Sequence, residues 1–176
     1  MIMPRGQQLL LPVRPLFIWS SLISALAVNM LLNMGLVGRA AWVPDFLALT
    51  LLFWTVHQPL KVGIGAAFFL GLAMDVHQGA LLGQHALAYS ALSYLAIAIH
   101  RRLLWFSMLS QAAQVLPLFI AAHVLTLLVR WLAGDGPAGW SVLLAPLLEA
   151  LLWPVVSALL LMPQRQAPDP DANRPL

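Results

Sequence analysis

The sequence predicts an all-α integral membrane protein, folded as a compact bundle of six transmembrane helices. Three observations predict it. Of the 176 residues, 61% are hydrophobic and only 9% are charged, whereas about a quarter of a soluble domain is charged. Long apolar runs recur, close to the roughly 20 residues that a helical crossing needs. The Lys, Arg, Asp and Glu residues sit mostly between those runs and at the ends. The same composition excludes several function classes. The chain has no cysteine, so a disulfide framework, thiol catalysis and a Cys-ligated metal are ruled out. The net charge of +3 does not imply nucleic-acid binding, because the basic residues flank apolar spans and topology accounts for them. The length suits one membrane domain with no separate soluble one.

Residues 1–15 read as a cytoplasmic N-terminal segment and 16–162 as the six-helix domain. The first span covers 16–38. Arg5 and Arg14 precede it, and Ala25-Leu26-Ala27 has the form of a cleavage site, but the apolar run continues to Val37. That continuation favours an uncleaved first helix over a signal peptide. The second span, 43–59, opens with Pro44-Asp45 and ends at Pro59. Proline suits a first helical turn, and an acid there meets the positive end of the helix dipole. This span is short for a full crossing. The third covers 62–80, and the fourth covers 84–100 and stops at Arg101-Arg102. Residues 101–114 mix charge, amide and hydroxyl with Trp105 and Phe106, so they read as an interfacial lead-in. The fifth span is 112–133, with Pro117 near its start. Gly134-Asp135-Gly136-Pro137 is a turn. The sixth is 140–162, closed by Pro163, and the polar, Pro-rich tail 163–176 is expected to be disordered and cytoplasmic.

Charge sets the orientation. With the N-terminus in the cytoplasm, that side carries Arg5, Arg14, Lys61, Arg101, Arg102, Arg165 and Arg174, while the outer side carries Arg39 and Arg130. Seven against two predicts that both ends are cytoplasmic. Trp19, Trp42, Trp105, Trp131 and Trp140 fall near span ends, as in an aromatic belt.

Small residues recur in four-residue register at Gly63, Ala67 and Gly71, then at Gly79 and Gly83, with Asp75 in the same row. Positions four apart share a helix face, and a stripe of small residues lets helices approach closely. Helix-packing roles are therefore assigned to these five, most simply against the fourth span, which offers Ala86, Ser90 and Ser93.

Polar side chains at membrane depth are costly and mark candidate sites. At 1.5 Å rise per residue, Asn29, Asn33, Asp75, His123 and Glu149 all fall in the outer half of the spans. One reading is an outward-facing polar pocket for a ligand head group or a partner segment. The other is interhelical glue, in which these groups satisfy one another. Matching depth on consecutive helices pairs His123 with Glu149. Asp75 reads as a carboxylate near the interface, reaching water past Gly79.

The sequence lacks a phosphate-binding Gly-rich loop, an HExxH and a GxSxG. His57, His77, His85, His100 and His123 are scattered. Asp75, His77 and His85 make only a weak metal set, with the two histidines spaced across a turn. No nucleophile accompanies His123 and Glu149, so no enzyme, cofactor or metal is expected.

Residues 42–95 carry a family resemblance. Its elements are Pro44, a short apolar span ending at Trp54, His57 to Pro59, Lys61 and Gly63. Then come Gly71, Asp75, Gly79, Leu82-Gly83 and Tyr94-Leu95, and Leu152-Trp153-Pro154 in the last span. In order and spacing these resemble the rod-shape-determining protein MreD family. The resemblance implies a multi-pass protein of the bacterial inner membrane that acts in lateral cell-wall elongation. It also implies partnership with the bitopic protein MreC, with RodA and its penicillin-binding transpeptidase, and indirectly with MreB. The family is similar in architecture to the six-helix substrate-binding subunits of energy-coupling vitamin transporters, and it brings no accepted catalytic residues. Two functions follow. One is a non-enzymatic scaffold that docks a partner's transmembrane helix, among membrane lipids and without nucleic acid. The alternative is a transporter-type subunit that binds a small molecule or lipid precursor through Asn29, Asp75, His123 and Glu149.

Overall fold

The computed structural model describes residues 13–36, 42–134, 136 and 139–164. Six α-helices follow one another: α1 Pro15–Leu31, α2 Phe46–His57, α3 Ile64–Gln78, α4 Gln84–Leu103, α5 Met108–Leu132 and α6 Leu144–Leu161. No strand occurs among the described residues. A wide π turn, Leu32–Leu36, prolongs α1, and short 3-10 turns at Trp140–Leu143 and Met162–Gln164 flank α6. The polar tail lies, from residue 165, outside the described residues.

The segments containing α1, α5 and α6 are each long and apolar enough to cross a membrane. Their outward side chains are bulky and apolar, including Leu16, Leu109, Leu128, Leu151 and Leu159. Such a surface suits lipid better than water. Trp19, Trp42, Trp105 and Trp131 are all exposed.

The short α2 is the centre of the bundle. Every residue from Leu47 to Val56 is buried, and α1, α4 and α6 all pack on it. A helix that is apolar all round must be wrapped on all sides. Its 12 residues span about 18 Å, against about 30 Å of hydrocarbon. Trp54 is fully buried and donates its Nε1–H to Ser21 Oγ at 2.7 Å, and Phe53 meets the Trp54 ring edge-on at 5.0 Å. Trp153 on α6 donates likewise to Gln111 on α5 at 3.2 Å. Each buried indole thus has its partner.

Two expected boundaries move. Residues 101–114 are not a separate lead-in. Arg101 and Arg102 lie in the last turn of α4, and α5 already begins at Met108. Cations are favourable at a helix C-terminus, so the pair closes α4 without needing an interfacial segment. Pro117 is accordingly well inside α5 rather than near its start. Membrane helices tolerate such a proline because neighbouring groups satisfy the freed carbonyl.

Helices α3 and α4 share the most extensive contact. A Cβ built on Gly71 would lie 2.4 Å from Ala86 Cα, so only glycine permits this approach. Ala67 is fully buried on the same helix. The other small residues of the row have different surroundings. Gly63 precedes α3 as its N-cap. Gly79, at φ +60, ends α3, and Gly83, at φ +103, precedes α4. Neither Gly79 nor Gly83 has a neighbour that a Cβ would meet. They belong to the turn, where positive φ favours glycine, and a packing role does not fit them.

Candidate functional site

The polar residues gather where α2, α4 and α6 begin and where α1 and α3 end. The starting point is the first turn of α2, whose N–H groups have no intrahelical partner. Asp45 caps it, accepting from Ala48 N at 2.8 Å. Asn29, from α1, accepts from Phe46 N at 3.0 Å and donates to Asp45 Oδ1 at 2.5 Å. Glu149, from α6, accepts from Asp45 N at 2.9 Å. Tyr89, from α4, donates its hydroxyl to Asp45 Oδ2. Four elements therefore converge on one helix start, and two carboxylates face the positive end of its dipole.

Asp75 does the same for α4. Its oxygens accept from Gly83 N at 2.8 Å, His85 N at 2.7 Å and Ala86 N at 3.4 Å. His85 Nδ1 adds a bond at 2.8 Å. Asp75 is only 1% exposed, so it does not reach water past Gly79. The reason is local: Gly79 and Gly83 fold the chain back sharply and lay the start of α4 over the carboxylate. His77 turns away to the Met30 carbonyl, at 3.2 Å, and does not join His85.

His123 and Glu149 do approach each other, with Nε2 3.5 Å from Oε1. His123 Nδ1 lies 3.0 Å from the Phe119 carbonyl. A carbonyl only accepts, so Nδ1 carries a proton in this contact. Glu149 is fully buried, and its Oε2 receives no donor from the described residues.

These groups border a cavity of about 580 Å³. Asn29, Asn33, His123 and Glu149 line it, as do Asp45, His85 and Tyr89. Asp75 stands behind His85 and is not part of the lining. Asp45, the most connected member, is missing from the site residues expected from sequence, as are Tyr89 and His85. The available signal was Pro44-Asp45 before a run too short to cross, which places a cap inside the protein. Among the described residues neither His85 nor His123 is bonded to a hydroxyl. The arrangement can anchor helix starts.

The family model for the rod shape-determining protein MreD matches residues 13–162. A relative, the rod shape-determining protein MreD of Haemophilus influenzae, is 30% identical over 148 residues, covering 81% of this chain and 89% of its own. No solved structure matches, so the likeness to vitamin-transporter subunits stays an expectation from the family resemblance.

Proposed function

The chain belongs to the rod shape-determining protein MreD family, and on that premise we propose that it maintains cell shape as a non-enzymatic membrane scaffold. The observation that carries this reading is the extent of the match, which covers the helical body from 13 to 162. The bundle itself is then the working part. Its mechanism is helix docking: a partner's single transmembrane helix lies on an outer face and is held near the cell-wall synthase. The partners are MreC, then RodA and its transpeptidase, with MreB reached indirectly. The chain sits in the bacterial inner membrane with both ends cytoplasmic, so that the cavity opens outward. Two features support a scaffold over an enzyme. Asp45 and Asp75 both serve helix starts, and among the described residues neither cavity histidine is bonded to a hydroxyl.

The test is purification from the membrane in mild detergent together with a tagged single-span MreC-type partner. Co-elution of the two chains, and rounding of rod cells when this chain is depleted, are the expected results. Rod shape that persists on depletion, with no partner retained, would overturn the reading.

A further inference from the structure

Three side-chain amides on the cavity wall have no hydrogen-bond partner among the described residues. They are Asn33 in the π turn after α1, Gln78 at the end of α3 and Gln84 at the start of α4. Nε2 of His85 is also without one, its Nδ1 being bonded to Asp75 at 2.8 Å. None of these atoms is sealed off. Among the described residues the buried polar atoms that lack a partner are Ser90 Oγ, Glu149 Oε2 and Ser157 Oγ, and the His85 side chain is 12% exposed. The charged groups around the cavity are, by contrast, already answered or closed to it. Both oxygens of Asp45 are engaged by Asn29, Ala48 and Tyr89. Asp75, behind His85, receives three backbone N–H groups as well as the imidazole. Glu149 Oε2 is buried out of reach, and Arg130 has a partner. The volume of about 580 Å³ lies within the range of ligand pockets. Met74 and Phe119 give the wall an apolar part.

We propose that this cavity binds a neutral polyhydroxyl group, a sugar ring carried by a lipid or free in solution, through Asn33, Gln78, Gln84 and His85 Nε2. Each amide offers one acceptor oxygen and two N–H donors. A hydroxyl is itself donor and acceptor, so it matches either end of an amide. It also matches His85, because Nδ1 donates to the Asp75 carboxylate and leaves Nε2 of the neutral ring as an acceptor. Four such groups, spread over three segments of the wall, suit several hydroxyls on one ring better than a single one. The C–H faces of the ring can lie against Phe119 and Met74. A cation would find no reachable carboxylate oxygen that lacks a donor, and burying an unpaired charge is costly. An anion would meet Asp45 on the wall and Asp75 behind it. The site is independent of the scaffold reading, and a cell-shape role with or without it remains distinguishable, because its test is a binding measurement.

The experiment follows thermal unfolding of the purified full-length chain in micelles of a detergent without a sugar head group. The probes are glucose, a monoglucosyl diacylglycerol, and phosphatidylethanolamine as a lipid without a sugar. A ligand that binds the folded state raises Tm. A rise of about 3 °C or more is expected near saturation. A rise with the glucosyl lipid and not with glucose assigns a lipid source, and a rise with glucose assigns the ring itself. The variant pairs Asn33→Leu with Gln78→Leu. Neither amide has a partner to lose among the described residues, so the Tm without ligand should stay close to that of the parent. Binding should weaken about tenfold or more. Sugars also stabilise proteins by exclusion from their surface, and that effect would leave the rise undiminished in the variant. No rise with either sugar, an equal rise with phosphatidylethanolamine, or an undiminished rise in the variant would overturn the proposal. If the variant fails to fold, native mass spectrometry of the unaltered chain decides. Preferential retention of the glucosyl lipid supports the site, and equal retention of both lipids overturns it.

Discussion

Glu149 on α6 accepts the backbone N–H of Asp45 at 2.9 Å, joining residues 104 positions apart. This bond ties the last helix to the start of the central one. Asp45 also takes donors from α1 and α4, so it is the point at which four elements are fixed.

Removing Asp45 should therefore cost more than a helix cap alone. Losing a cap costs about 1 kcal/mol. Asp45→Ala also strands the Asn29 amide and the Tyr89 hydroxyl, each worth roughly 1–3 kcal/mol when left unsatisfied. A total loss of about 3 kcal/mol or more is expected from these terms. Asp45→Asn keeps one cap oxygen and should lose about half as much. Denaturant unfolding in micelles measures both, and an Asp45→Ala protein as stable as the parent would refute the hub role.

Glycine substitutions separate packing from turn geometry. Gly71→Ala puts a methyl 2.4 Å from Ala86 Cα and should cost about 1–3 kcal/mol by overpacking. Gly79→Ala meets no neighbour, but its φ of +60 should cost about 1–2 kcal/mol. Gly65→Ala meets nothing and is helical, so it should be neutral or gain up to about 1 kcal/mol. The three Tm values should fall in two destabilised variants and one unharmed. A harmless Gly71→Ala would contradict the close α3–α4 approach.

The sequence discloses the number of helices and most of their ends, because apolar length and turn residues are local signals. It also discloses that α3 has a small-residue face. It does not disclose which helix is central. An apolar run without a polar stripe, such as α2, reads alike whether lipid or protein surrounds it. The four-residue register misleads at Gly79 and Gly83, because periodicity means shared faces only while the helix lasts, and α3 ends at Gln78. Depth along the spans gathers Asn29, Asn33, His123 and Glu149 at one end. Asp45 escapes that reasoning because it lies outside any long apolar run, at the mouth of a helix too short to cross.

Asp75→Asn tests the second helix start. The carboxylate receives three backbone N–H groups and His85 Nδ1. An asparagine offers one oxygen and turns an NH₂ toward a donor, leaving at least one buried N–H unpaired at about 1–3 kcal/mol. Loss of this order is expected in unfolding, comparable with the effect of Gly71→Ala at the same helix pair. Hydrogen exchange should show the amides of Gly83 and His85 losing protection first. Unchanged protection there would remove the capping role.

The His123–Glu149 pair is open to a double-mutant cycle. The 3.5 Å separation is longer than a good hydrogen bond, and Glu149 Oε1 is already held by Asp45 N. His123 keeps its own anchor at the Phe119 carbonyl. Glu149→Ala should consequently cost more than His123→Ala, because it leaves the Asp45 N–H unpaired, whereas the loss of the imidazole only widens the cavity. The two losses should still fail to add, with a coupling of about 0.5–1.5 kcal/mol, as expected for groups in contact. Unfolding of the two single variants and the double variant in the same micelles gives the value. Additive losses would mean that the two side chains are neighbours without being partners, and that Glu149 acts in the fold through Asp45 alone.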